Sequence, residues 1–174
     1  MMRLALAFAM LAGAAVAHPH HYTEQQVSLT LGPEGIRAEI SIIPSDREGA
    51  AIFAALDLDG DGALSEAEMQ ALAAQVLAAT RLTLNDAPQA LTLTGVSRPA
   101  EADMAAGHAK ITLLAEAAHP LAPGENFGFS IAYDRFASEW SVQPWLAEGF
   151  LPDGQLPVIR RGADNASVTV TLPE

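Results

Sequence analysis

The 174-residue chain contains no cysteine, only nine lysines and arginines, and no long apolar run after its first 17 residues. Each absence excludes something. Without thiols there are no disulfides and no thiol chemistry, and an exported protein is free to do without both. The basic residues are outnumbered by 21 acidic ones, which sets a formal net charge of −12. Such a surface repels nucleic acid and anionic lipid and attracts cations. No Gly-x-Ser-x-Gly, His-Glu-x-x-His or glycine-rich phosphate loop occurs in the sequence, so the usual catalytic signatures are missing as well. The sequence therefore reads as that of a non-enzyme, with no nucleic-acid partner.

What is present begins with the first 17 residues. Arg3 forms a short basic region, Leu4 to Leu11 are apolar, and Ala15-Val16-Ala17 is a small-x-small cleavage pattern. A bilayer needs about 20 apolar residues, more than this segment offers. It reads as a secretory signal, residues 1–17, cleaved to leave a mature chain 18–174 without membrane insertion. Periplasmic or secreted localisation follows as the expectation. The remaining 157 residues fit one domain, and a hydrophobic content of 50% supplies a core without staples.

Two periods alternate along the chain. Val27, Leu29 and Leu31, then Ile36, Ala38, Ile40 and Ile42, occupy alternate positions on either side of Gly32-Pro33-Glu34-Gly35, which predicts a β-hairpin. Ser45 and Glu48 have capping-box spacing ahead of Ile52, Phe53 and Leu56, and a second apolar stripe runs from Met69 to Leu77; both predict helices. The strand period returns at Leu82–Leu84, Leu91–Thr94, Ala109–Ala115, Phe127–Asp134 and Ala166–Leu172, while prolines and glycines between Pro144 and Gly162 predict a long loop. The expected fold is mainly β with inserted α: an antiparallel, immunoglobulin-like β-sandwich carrying one helix–loop–helix at residues 46–80.

Between the two helices lies "DLDGDGALSEAE", residues 57–68. Asp57, Asp59 and Asp61 alternate, Gly62 follows at a sharp bend, Ala63 offers a carbonyl, Ser65 can hold a water, and Glu68 closes the series. A hard cation such as Ca²⁺ takes six to eight oxygens, and this spacing converges such groups on one point. A capping box explains Ser65 and Glu68 alone, but leaves three like charges crowded without a counter-ion. The segment from Asp46 to Thr80 resembles the EF-hand family, which implies calcium as its ligand. Leu64 stands at the family's apolar position that bridges to a partner loop. No second loop of this kind occurs, since "LPDGQLPVIRRG" lacks both the aspartates and the final glutamate. With only Met69 and Met104 left after cleavage, a methionine-rich sensor groove is not expected, and a structural or constitutive calcium site is.

Cleavage after Ala17 would expose His18-Pro19-His20-His21. An amino-terminal histidine chelates through amine and imidazole, and such ligands suit copper, nickel or zinc. Pro19 lacks the amide nitrogen that the amino-terminal copper/nickel motif requires. A brace of His18 with His20, His21, His108 or His119 stays open beside a simple solvated terminus. This opening, the hairpin and the aspartate-rich loop together resemble a family of exported bacterial proteins of unknown function. That resemblance implies a membrane metal transporter, or another exported protein, as partner. Trp140, Trp145, Phe136 and Phe150 offer a stacking surface or, for at least one tryptophan, a core role. Three expectations stand together: a calcium-binding accessory module, a transition-metal accessory protein using His18, His20 and His21, and an enzyme with structural calcium.

Overall fold

The structure, a computed structural model, describes residues 22–137 and 139–174. The expected signal segment, residues 1–17, and His18, His20 and His21 lie outside them. The hairpin forms as β1 (Glu24–Gly32) and β2 (Gly35–Ile43), paired in register from Glu24 opposite Ile43 to Gly32 opposite Gly35. Its alternating apolar residues face inward, and Val27, Leu29, Leu31, Ile36, Ile40 and Ile42 are all buried. Gly35 closes the turn at φ +127°, a conformation that side chains disfavour.

Eight further strands complete two five-stranded sheets: β3 (Thr80–Leu84), β4 (Ala87–Gln89), β5 (Thr92–Val96), β6 (Ile111–Ala117), β7 (Asn126–Ile131), β8 (Ser141–Leu146), β9 (Val158–Arg161) and β10 (Ser167–Thr171). One sheet runs β5-β6-β2-β1-β8 and the other β4-β3-β7-β10-β9. The inner faces of the sheets share one core with residues of the inserted helices. This is a β-sandwich, as the periodicity predicts.

One pairing departs from the antiparallel pattern: β8 runs parallel to β1. The chain leaves β7 in one sheet and crosses at residues 132–140 to the other, arriving beside β1 in the same direction. Trp140 fixes that crossing, buried with its indole Nε1 donating to the Tyr133 carbonyl at 2.7 Å. The long loop expected after Pro144 is also interrupted, since it contains the end of β8 and all of β9. Pro144 is tolerated in β8 because that strand lies at a sheet edge, where a missing N–H disrupts little.

The helical insertion joins β2 to β3 as α1 (Gly49–Leu56) and α2 (Glu66–Ala78). A short α3 (Glu101–Ala105), not legible in the periodicity, packs against α1. Its backbone comes so close that a Cβ on Gly49 would meet the Met104 carbonyl. The capping box expected at Ser45 and Glu48 does not form. Helix α1 starts after Glu48, whose carboxylate Oε2 instead accepts from Thr23 N at 2.6 Å and Thr23 Oγ1 at 2.7 Å. A partner 25 residues away has displaced the local cap.

Candidate metal site

Helix α1 ends when Asp57 N–H donates to the Phe53 carbonyl at 2.9 Å, and the chain then coils through two left-handed glycines, Gly60 at φ +71° and Gly62 at φ +81°. The coil turns backbone N–H groups onto the aspartates. Asp57 Oδ1 accepts from Gly60 at 2.9 Å and Asp61 at 3.2 Å, while its Oδ2 accepts from Gly62 at 2.9 Å. Asp59 Oδ1 accepts from Asp61 at 3.2 Å, and Asp61 Oδ1 from Ala63 at 2.8 Å. Both oxygens of Asp57, and Oδ1 of Asp59 and of Asp61, thus accept from the loop's own backbone, leaving Oδ2 of Asp59 and of Asp61 without a backbone donor among the described residues.

One ligand oxygen from each of Asp57, Asp59 and Asp61 lies within 4.8 Å of the others. Oxygens on opposite sides of a Ca²⁺ ion at about 2.4 Å are about 4.8 Å apart, so the three fit one coordination sphere. The ion pairs among the described residues, Arg37–Glu34 and Lys110–Glu39, involve none of them. The cluster can bind a metal ion.

Ser65 and Glu68 stand just outside this group. They cap α2 reciprocally: Ser65 N and Oγ donate to Glu68 Oε2, each at 2.8 Å, and Glu68 N donates to Ser65 Oγ at 3.3 Å. Glu68 Oε1 accepts from Leu58 N in the loop at 2.5 Å. The N–H and hydroxyl of Ser65, then the Leu58 N–H, hold the Glu68 carboxyl below its ordinary pKa. Glu68 is therefore anionic and ties the loop to the start of α2. Ala63 is exposed at the loop's far side, whereas Leu64 is buried in the sandwich core.

Two features of the surroundings have no local sequence signal. Arg135, which follows β7, donates to the Ala55 carbonyl at 2.9 Å and so grips the last turn of α1 from the crossing segment. The same guanidinium lies 5.1 Å from the centre of the Phe136 ring. The other candidate residues are dispersed. His108 precedes β6 and His119 follows it, which separates them by the strand's length, about 20 Å at ~3.3 Å per residue. Trp140 is in the core, Phe136 and Phe150 are half-buried, and Trp145 is exposed.

No known protein family's model matches the chain, and no curated protein matches it. Among the described residues no helix is long and apolar enough to cross a membrane.

Proposed function

We propose that residues 46–80 are a single EF-hand that binds calcium, set in an exported β-sandwich protein that acts as a binding or accessory module. The observation that carries this reading is the convergence of three aspartate oxygens within 4.8 Å, on a turn bent by Gly60 and Gly62. Asp57, Asp59 and Asp61 would supply carboxylates, Ala63 its carbonyl, Ser65 a held water and Glu68 the closing carboxylate. All are hard oxygen donors, which suit Ca²⁺ better than a soft metal. Bound calcium would offset half of the four carboxylates' charge and pin α1 to α2. Leu64 in the core supports a constitutive role, because the loop is already part of the fold. Export rests on the signal-like residues 1–17.

Thermal unfolding tests the reading. With a Kd of about 10⁻⁴ M, 10 mM calcium should stabilise the fold by roughly 2.7 kcal/mol over chelator. Asp59→Ala should abolish most of that gain while leaving the melting temperature in chelator nearly unchanged, since Asp59 accepts a single N–H. Glu68→Gln should lose the gain as well, and should also lower the temperature in chelator because it caps α2. A melting temperature indifferent to calcium would refute the proposal.

A further inference from the structure

The two sheets end in four edge strands, and three of these edges are blunted. Strand β4 has three residues, one of them Pro88. Strand β5 carries a register shift between Leu93 and Gly95, and α2 packs beside it. Strand β8 contains Pro144, and both backbone groups of its Val142 are taken. The Val142 N–H donates to the Asn165 carbonyl at 3.1 Å, and its carbonyl accepts from the Arg161 guanidinium. Prolines, bulges and cover of this kind keep an edge from pairing with other chains. Strand β9 has no proline and no register shift, and all four of its residues are exposed.

Its open side can be read from the ladder. Gly162 N–H donates to the Ser167 carbonyl at 3.0 Å, in line with the pairing of Arg161 opposite Val168. Bonded pairs alternate along an antiparallel ladder, so Val158 and Arg160 turn their backbone groups to β10. The N–H and C=O of Ile159 and of Arg161 therefore point away from the sheet, with no partner among the described residues. Side chains alternate too. Ile159 and Arg161 share the face of buried Val170 and Val168, and Arg160 stands on the outer face beside Thr169. Across β3, β7, β10 and β9 the outward positions carry two charges, Arg81 and Arg160, and no carboxylate. In a chain with 21 acidic residues that face is the exception. Arg160 takes part in neither ion pair of the described residues.

We propose that β9 is a docking edge that takes an extended segment of a partner protein as an added antiparallel strand, with a carboxylate of that segment opposite Arg160 and an apolar residue opposite Ile159. Main-chain bonds to Ile159 and Arg161 would supply affinity, and the alternating side chains specificity. Residues directly opposite have Cβ atoms about 4.5–5.5 Å apart, which a guanidinium spans to reach a carboxylate. A second copy of this chain fits less well, because it sets one arginine edge against another. The edge lies three strands from β3 in its sheet, and the proposal does not depend on what the aspartate loop binds.

The probe is an end-blocked, fluorescein-labelled hexapeptide, Thr-Thr-Glu-Val-Val-Thr, titrated into chain 18–174 by fluorescence polarisation, in calcium and in chelator. Saturable binding is expected in both. It should weaken about tenfold or more when lysine replaces the peptide's glutamate, and likewise when the first valine is N-methylated, which removes the donor to the Ile159 carbonyl. Arg160→Glu should reverse the preference between the glutamate and lysine peptides. Ile159→Pro should abolish binding and spare the β10 ladder, since only an outward N–H is lost. If that variant fails to fold, the N-methylated peptide on the unaltered chain makes the same test. No saturable binding, equal affinity for the three peptides, or full affinity in folded Ile159→Pro would overturn the proposal. So would a concentration-dependent dimer that Ile159→Pro dissolves, which would assign the edge to a second copy.

Discussion

Asp57 receives three backbone N–H groups of its own loop, and those bonds exist because Gly60 and Gly62 take left-handed conformations. A Cβ on Gly62 would meet nothing within 4 Å. Gly62→Ala should therefore cost only the left-handed backbone penalty, about 1–2 kcal/mol, read as a lower denaturation midpoint with an unchanged slope. A larger loss would mean that the residue packs in solution against something further. Charge at single residues also sets a pH dependence. Glu48 and Glu68 both have carboxyl pKa values lowered from 4.5 by hydrogen bonds that only the folded chain makes. Groups of this kind stabilise fully above their unfolded value and lose that contribution as pH falls through the lower folded value. Stability should be flat from neutral pH to about 5 and decline below 4.5. Glu68→Gln should make that acid decline shallower, which a series of urea midpoints between pH 3 and pH 7 would show.

Among the elements, what sequence reading captured is what neighbours in the chain determine. The hairpin, α2 with its Ser65–Glu68 cap, and the aspartate loop are each specified within about a dozen residues, by period, cap or ligand spacing. Helix α1 starts later than its local signal because Glu48 is claimed by Thr23. Strands β8 and β9 were hidden among prolines and glycines, since an edge strand tolerates breakers that a central one does not. A cavity of about 760 Å³ was illegible because distant parts of the chain assemble it: β1, Glu48, the crossing segment and Asn165. Leu64 links the two regimes: its place in the loop is local, its burial is not. Leu64→Ala should destabilise the whole fold by about 2–5 kcal/mol, in the range of other buried leucines, and loosen calcium binding with it. Calorimetric unfolding with and without calcium reads both; a change in affinity without a change in stability would show that the loop is not anchored through the core.

At the scale of the whole molecule, the parallel pairing of β1 with β8 orders events in time. The hairpin of β1 and β2 can close as soon as residue 43 is available, but the second edge of β1 waits for residues 141–146. Until then a strand whose inward face holds Val27, Leu29 and Leu31 has a bare row of N–H and C=O groups, the kind of edge that recruits other chains. A chain that stops after Trp140 should accumulate as aggregate, visible as loss of the monomer peak in size-exclusion chromatography. The full chain should refold in milliseconds to seconds, as proteins dominated by distant pairings do. Residues 141–146, made after β1 to β7, thus act as the latch for β1, and a chain that still lacks them needs protection until they arrive.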